Sequence, residues 1–399
     1  MLTCGVDLSQ NHFQIEDDSR IGAEGYNRTG LMVAAEEGWT DIVYEIVSEE
    51  VDINENDNLG VTAMMLAAEN GHDKVVHILR INGAGFSETD QNGEHTIVKA
   101  IKRGHIKVVK YFLDIGVDVD MECGWNNGTI LFVAATYGQD DIVSMLIKRW
   151  ADVNYKNEIG ADPLMGAAAN GHDTIVTMLL ENGADGVNIK NMNGFTSLMQ
   201  STKYPRTIAN LLDAGAEVNM QNTQDNGCTA LMLAAIQGHS ETVSILIDNG
   251  ADVSITDKDG RAALNYAVSQ GHFKIVSTLI ENGADVNNVN KNGETALMIG
   301  ALESHFENVR GGLETLAILL GYGADANIAD PEFGETALMY AASEGDFETV
   351  SILKDNGADV NILSKNGMTV LMFAKQGKVG RIGQAVKGYD KVVALLEKY

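Results

Sequence analysis

Nine histidines and three cysteines are the side chains of this sequence best suited to metal binding or to acid–base and nucleophilic chemistry. Five of the histidines directly follow a glycine and recur along the chain, at His72, His105, His172, His239 and His272. Metal sites and catalytic pairs need side chains that meet at one point. Regularly spaced Gly-His pairs instead indicate a repeated turn, in which we expect the histidine to form a turn-stabilising hydrogen bond.

Other reactive patterns do not point to a site either. Cys4, Cys123 and Cys228 are odd in number, far apart and without a C-x-x-C pair, which argues against a disulfide framework and against structural zinc. The sequence contains no H-E-x-x-H, G-x-S-x-G or protein-kinase signature, and its C-terminal glycines do not fit the phosphate-binding G-x-x-x-x-G-K-[ST] pattern. We therefore predict no catalytic residue, no metal and no cofactor, and a chain that is not an enzyme.

The charge balance restricts the partners. The 399 residues include 56 acidic and 28 basic ones, a formal charge of −28, so the surface as a whole would repel phosphate groups. This argues against nucleic acid as a partner. The sequence has no run of about 18 apolar residues and no apolar signal segment, so no membrane insertion is expected. We expect an intracellular, cytoplasmic protein, with signal-peptide-independent export left open.

One unit recurs along almost the whole chain, G-x-T-A-L-M-x-A-A-x-x-G-H-x-x-x-V-x-x-L-I-x-x-G-A-D-V-N, mostly at intervals of 33 residues. In the second copy, Thr62 is predicted to cap a first helix, Gly71-His72 to break the chain, and a second helix to begin near Asp73 and end at Asn82-Gly83. Helices of about 8–10 residues are marginal alone. The units are therefore expected to stack on one another as a solenoid.

The unit resembles the ankyrin repeat in its 33-residue period, in T-A-L-M where that family often has T-P-L-H, and in A-A-x-x-G-H and G-A-D-V-N. The resemblance implies an all-α fold: an ankyrin-repeat α-solenoid of stacked helix-turn-helix units with projecting loops or β-hairpins, curved, with a concave binding face. It also implies protein binding without catalysis, as a scaffold or adaptor.

The repeat pattern also predicts domain boundaries. Residues 1–24 are expected to be an N-terminal cap or tail, and residues 25–399 an ankyrin repeat domain of about eleven repeats. That domain would contain an insertion at 303–312 and an extended C-terminal capping unit at 367–399. In the sixth repeat, Lys203-Tyr204-Pro205-Arg206 replaces the Gly-His turn.

In ankyrin proteins, partners usually dock on the loop tips and the first-helix surface that line the concave side. Carried over by register, the partner-binding residues predicted here are Trp125, Asn126, Tyr137, Tyr155, Glu158, Phe195, Lys258 and Arg261. Large aromatic side chains at such positions add little to the inter-repeat core but are favoured as interface anchors. The alternative for Trp125 is that it only covers the extra residue in its own loop.

Departures from the repeat leave further hypotheses open. Residues 1–60 hold 14 acidic and 2 basic residues, which leaves two alternatives open. The chain is either an acidic inhibitor or mimic that binds a basic protein, or a structural subunit of a larger assembly in which copies associate. The third repeat alone is basic, at Lys99, Lys102, Arg103, Lys107 and Lys110. Trp150 replaces the helix-ending glycine of the fourth repeat and is expected to pack on the convex edge.

Overall fold

The computed structural model of the protein describes residues 27–49, 51–123, 125–224, 226–303, 311–379 and 384–398. These residues belong to two compact units, the first ending at Val187 and the second beginning at Asn188. The predicted N-terminal cap or tail at 1–24 lies outside the described residues, as do residues 304–310 of the predicted insertion.

Most of the described repeats begin with a short first helix that a side chain caps at its N-terminus. Thr62 Oγ1 accepts a hydrogen bond from the backbone N–H of Met65 at 3.3 Å, which satisfies one of the otherwise unpaired amides of the first turn. The helix that follows is apolar on every side, and Met64, Met65 and Leu66 are all buried. The predicted cap, the break at Gly71-His72 and the second helix beginning at Asp73 are confirmed.

The described part of the first unit contains five such helix pairs. First helices pack against successive first helices, and second helices against successive second helices, so the unit has two layers. The bounds are α1 Gly30–Glu36, α2 Thr40–Ser48, α3 Ala63–Glu69, α4 Asp73–Ile81, α5 Thr96–Lys102, α6 Ile106–Asp114, α7 Ile130–Thr136, α8 Asp140–Lys148, α9 Pro163–Asn170 and α10 Asp173–Glu181.

The second unit has six helix pairs in its described ranges. Its shortest helix, α11, is in the sixth repeat, where the Gly-His turn is missing and Pro205 opens α12 at a position that tolerates its lack of an N–H. The bounds are α11 Ser197–Gln200, α12 Pro205–Asp213, α13 Ala230–Gln237, α14 Ser240–Asp248, α15 Ala263–Ser269, α16 Phe273–Glu281, α17 Ala296–Glu303, α18 Gly312–Gly321, α19 Ala337–Glu344, α20 Phe347–Asp355, α21 Val370–Lys378 and α22 Gln384–Leu396.

The prediction of an all-α ankyrin solenoid is confirmed. The 22 helices of the described residues form paired, stacked units. Within those ranges the loops make only isolated β-bridges and no sheet, for example between Asn56 and Thr62 and between Thr256 and Ala262.

Histidine rings link repeats to the ones before them. His105 Nε2 lies 2.8 Å from the backbone oxygen of Glu69, and its ring covers Gly71, where a Cβ would come within 2.4 Å of Nδ1. Equivalent bonds join His72 to Glu36, His172 to Thr136 and His272 to Ile236. The sequence predicted a hydrogen bond that stabilises the turn. The acceptor lies in the preceding repeat, so this bond also holds neighbouring units in register.

The last repeat uses a tyrosine in the same place. The Tyr389 hydroxyl donates to the backbone oxygen of Ser343 at 2.7 Å, and the buried ring covers Gly345. This contact anchors α22 on the preceding repeat, as the histidines do elsewhere.

Asparagines near the end of the repeats join successive loops. Asn154 Oδ1 accepts the backbone N–H of Asp185 at 2.9 Å, and Asn154 Nδ2 donates to the backbone oxygen of Gly183 at 3.0 Å. Asn219 makes the same two bonds to Asp252 and Gly250 in the second unit. The amide is the side chain that supplies both an acceptor and a donor at this point. These asparagines thereby fix the position of their loops relative to the loops that follow them.

Candidate functional site

The loop tips of the fourth and fifth repeats form one hydrogen-bonded pair. Residues Trp125–Asn127 make a single 3-10 turn, in which Asn126 has a φ of 50° and Asn127 a φ of 57°. Asparagine tolerates this left-handed conformation better than most side chains. The backbone oxygen of Asn126 accepts the N–H of Glu158 at 2.8 Å, and Asn127 Nδ2 donates to Glu158 Oε1 at 2.7 Å. Two predicted site residues, Asn126 and Glu158, are thus in direct contact.

The side chain of Trp125 lies outside the described part of the structure, although its backbone belongs to the 3-10 turn. Its role as an anchor, and the alternative that it covers its own loop, stay predictions.

Asn127 was not predicted as a site residue. The extra residue in this loop was the sequence signal that would have indicated it.

Tyr155 lies beside the same loop pair. Its hydroxyl donates to the carboxylate of Glu122, in the preceding repeat. This hydrogen bond raises the pKa of Tyr155, because the negative charge of Glu122 disfavours loss of the phenolic proton. The ring is therefore held in place and polar only at its tip. Glu122 is a second residue that the sequence did not identify.

Tyr137 occupies the other end of α7, about 10 Å along the helix from the loop. It is 46% exposed, and the Lys102 ammonium lies 5.1 Å from the centre of its ring, a cation–π distance. Lys102 is also paired with Glu94. Partial burial disfavours its charge, but the hydrogen bonds to Glu94 and Tyr137 outweigh this and raise the pKa of Lys102. A charged lysine at the ring limits the positions that this exposed aromatic side chain adopts.

Most of the basic residues on the first helix of the third repeat are neutralised. Lys99 is buried and lies 2.7 Å from Asp90. Burial alone would raise the pKa of Asp90, but the hydrogen bond and charge of Lys99 lower it. Arg103 pairs with Glu69 at 3.1 Å. This surface therefore has no excess of positive charge.

The remaining predicted residues belong to the second unit. The Phe195 N–H donates to Asn191 Oδ1 at 3.0 Å, and the residue is half-buried. Lys258 is exposed, and its N–H donates to the backbone oxygen of Asn226 at 2.7 Å. The Arg261 N–H donates to Asp257 Oδ1 at 2.8 Å. Lys258 and Arg261 thus lie on one loop, joined to the loop of the seventh repeat.

A polar network that the sequence did not predict holds that loop. The Tyr266 hydroxyl and Asn226 Nδ2 both donate to Asp257 Oδ2, the latter at 2.6 Å. Burial and the hydrogen bond to Asp257 raise the pKa of Tyr266. Tyr266 lies within α15, where the repeat pattern predicts only core packing and therefore does not indicate a role in the loop network.

The described side chains show little that would support catalysis. Burial raises the pKa of the Cys123 thiol to about 12, so that the thiolate needed for nucleophilic attack is scarce near neutral pH. No group of three or more His, Cys, Asp or Glu side chains among the described residues is arranged to hold a metal ion.

One expectation was wrong. Trp150 does not pack on the convex edge but is 90% exposed, and its backbone has a φ of 67°. Trp150 replaces the glycine that favours this conformation, and burial of its indole does not compensate for the unfavourable backbone.

The family model for ankyrin repeats, which spans three copies, matches residues 8–90, 74–157, 131–222, 200–290 and 307–396. The chain belongs to the ankyrin repeat family. Ankyrin repeats typically mediate protein–protein interactions and are generally not catalytic. No helix in the described ranges of this ankyrin repeat protein is both long and apolar enough to cross a membrane.

Similar proteins share the repeats over part of their length. Ankyrin repeat protein nuc-2 of Neurospora crassa is 25% identical over 269 residues, which are 67% of this chain but 21% of the relative. The human ankyrin repeat and KH domain-containing protein 1 is 28% identical over 130 residues, 33% of this chain and 4% of the relative. The chain thus spans a small part of these relatives.

A solved structure shows the same fold. The crystal structure of the human ASB11 ankyrin repeat domain matches with a TM-score of 0.51 and 22% sequence identity, and the match covers 56% of this chain and 99% of the other.

Proposed function

We propose that this chain is a non-catalytic scaffold or adaptor that binds a protein partner through the loop tips and first helices of its fourth and fifth repeats. This interaction surface comprises Trp125, Asn126, Tyr137, Tyr155 and Glu158. Phe195, Lys258 and Arg261 are proposed as further contacts from the second unit.

The observation that most strongly supports the proposal is the exposed ring of Tyr137. The ring follows α7, in which Ile130, Leu131 and Phe132 are buried, yet it is 46% exposed, with the Lys102 ammonium 5.1 Å from its centre. Tyrosine is enriched among the residues that dominate binding energy, because it combines a large apolar face with a hydrogen-bonding tip. An ordered ring also loses less conformational entropy when a partner covers it.

The paired loops supply the polar part of the same surface. The bonds from Asn126 and Asn127 to Glu158, and from Tyr155 to Glu122, fix these side chains before any partner arrives. Fixed polar groups beside an aromatic anchor are typical of protein interfaces, which have an apolar centre and a hydrogen-bonding rim.

The test is affinity capture with the full chain, followed by a dissociation constant for the captured protein. Tyr137→Ala should weaken binding at least tenfold, since truncating an interface anchor typically costs about 2 kcal/mol or more. Tyr322→Ala is the matched control: Tyr322 is a tyrosine of nearly equal exposure, 47%, that also follows a helix C-terminus but lies in the second layer. Equal binding by wild type and Tyr137→Ala, with helical circular dichroism retained, would reject the proposed surface.

A further inference from the structure

We infer that the outer surface of the second-helix layer in the third and fourth repeats is a separate docking site for an acidic peptide segment that carries apolar side chains. The site is a groove between α6 and α8, here called the basic groove, lined by Ile106, Lys107, Lys110, Asp141, Ser144, Met145, Lys148 and Arg149. It lies in a different helix layer from the interaction surface proposed above and does not depend on it.

The basic groove holds uncompensated positive charge. Arg149 pairs with Asp114, but the ion pairs found among the described residues include no carboxylate partner for Lys107, Lys110 or Lys148. One carboxylate, Asp141, also lines the groove. The lysines of the first helix in the same repeat are neutralised, so the positive charge that the sequence showed in the third repeat is concentrated on α6.

The surroundings make this charge unusual. On one side of the groove the next second helix, α10, carries Asp173 and Glu181 and no lysine or arginine, whereas α4 on the other side carries Asp73 together with Lys74 and Arg80. The chain as a whole has a formal charge of −28. A cationic strip in so acidic a protein attracts an anionic segment locally, while the acidic α10 limits how far that segment extends toward the fifth repeat.

Trp150 supplies an apolar contact next to Arg149. It stands where the neighbouring repeats have Gly83, Gly116 and Gly183, all with positive φ, and it keeps that left-handed conformation with a φ of 67°. A bulky side chain in this region strains the backbone, and a 90% exposed indole returns no burial energy. Strain without a structural benefit is found most often at functional sites, and tryptophan is the residue most enriched at interface anchors.

A peptide fits these features better than a nucleic acid does. Ile106 and Met145 give the groove an apolar lining between the lysines, which suits aliphatic side chains. Nucleic acid binding needs aromatic rings on which successive bases stack along a continuous positive track. The acidic α10 beside this groove would repel an extended phosphate backbone.

The experiment is fluorescence anisotropy with the full chain and a labelled dodecapeptide in which pairs of glutamates alternate with pairs of leucines. Lys107→Glu combined with Lys110→Glu should weaken binding at least tenfold, and the affinity of wild type should fall as salt rises. Lys274→Glu is the matched control, because Lys274 is exposed on α16 at the register position of Lys107. This control should bind within twofold of wild type.

Trp150→Gly separates a binding role from a structural one. Glycine relieves the backbone strain, so this variant should resist urea better than wild type while it binds the peptide at least tenfold more weakly. The inference is overturned if wild type binds a glutamine version of the peptide equally well, or if the lysine or tryptophan variants bind normally. Tighter binding of a single-stranded dodecanucleotide than of the peptide would also overturn it.

Discussion

Replacing Asp162 by threonine should stabilise the protein near neutral pH. Asp162 caps α9 at the position where most repeats have threonine, and it is only 2% exposed. Burial raises its pKa from 3.8 to about 6, despite the hydrogen bond that it accepts from the Met165 N–H. Two pKa units correspond to about 3 kcal/mol of lost stability once the carboxyl is ionised. Threonine keeps the cap without the charge, as Thr129 does in α7.

The pH dependence of the stability gain from Asp162→Thr tests whether the buried charge of Asp162 is its cause. The folded-state pKa of Asp162 is raised, so the favourable contribution of its neutral form is present below about pH 4 and is lost as the pH rises through 6. The gain from Asp162→Thr should therefore be small at pH 4 and reach up to about 3 kcal/mol at pH 7.5. Urea titrations followed by circular dichroism measure it.

The reciprocal variant is the control. Thr129→Asp places a carboxyl at the fully buried cap of α7 and should destabilise the protein more at pH 7.5 than at pH 4. A gain from Asp162→Thr that is equal at the two pH values would refute the assignment to a buried charge.

Other parts of the structure lead to further predictions. Asn154→Ala removes two bonds between successive loops and should lower the free energy of unfolding by about 1–3 kcal/mol in urea titrations, whereas a change under 0.5 kcal/mol would contradict the role of this amide. Lys99→Met leaves the buried Asp90 without its partner and should cost about 3–5 kcal/mol, tested by thermal melting. Tyr389→Phe deletes the bond to Ser343 and should increase amide hydrogen exchange in α22 more than in α16; equal exchange in both helices would count against it. Light scattering at low salt should show a monomer, whereas the alternative of a structural subunit in a larger assembly would give a larger mass there.

The fold was predictable from the sequence because the repeat imposes the same local rules many times. Threonine caps such as Thr62, glycine stops such as Gly83 and an apolar face that needs a neighbour each constrain the chain locally, and their recurrence every 33 residues identifies the stack. The pattern did not predict which neighbouring repeat each side chain contacts. The histidine bond was predicted for its turn, but His105 reaches back to Glu69 in the preceding repeat.

The candidate site was predictable only in part. Aligning the chain to the 33-residue repeat predicts which side chains lie on loops and helix ends, among them Asn126, Tyr137 and Tyr155. Their partners Glu122 and Lys102 do not, because contacts between repeats join residues about 33–35 positions apart that no local signal relates. Trp150 shows the same limit: a substitution for glycine is visible in the sequence, but whether the indole packs or stays in solvent is decided by neighbouring helices.

Hydrogen–deuterium exchange of the full chain, with and without the protein that it captures, shows where the partner binds. The proposed function predicts slower exchange in the complex at residues 121–137 and 155–160, which contain the paired loop tips and α7. Unchanged exchange in both segments, with protection elsewhere in the chain, would contradict it.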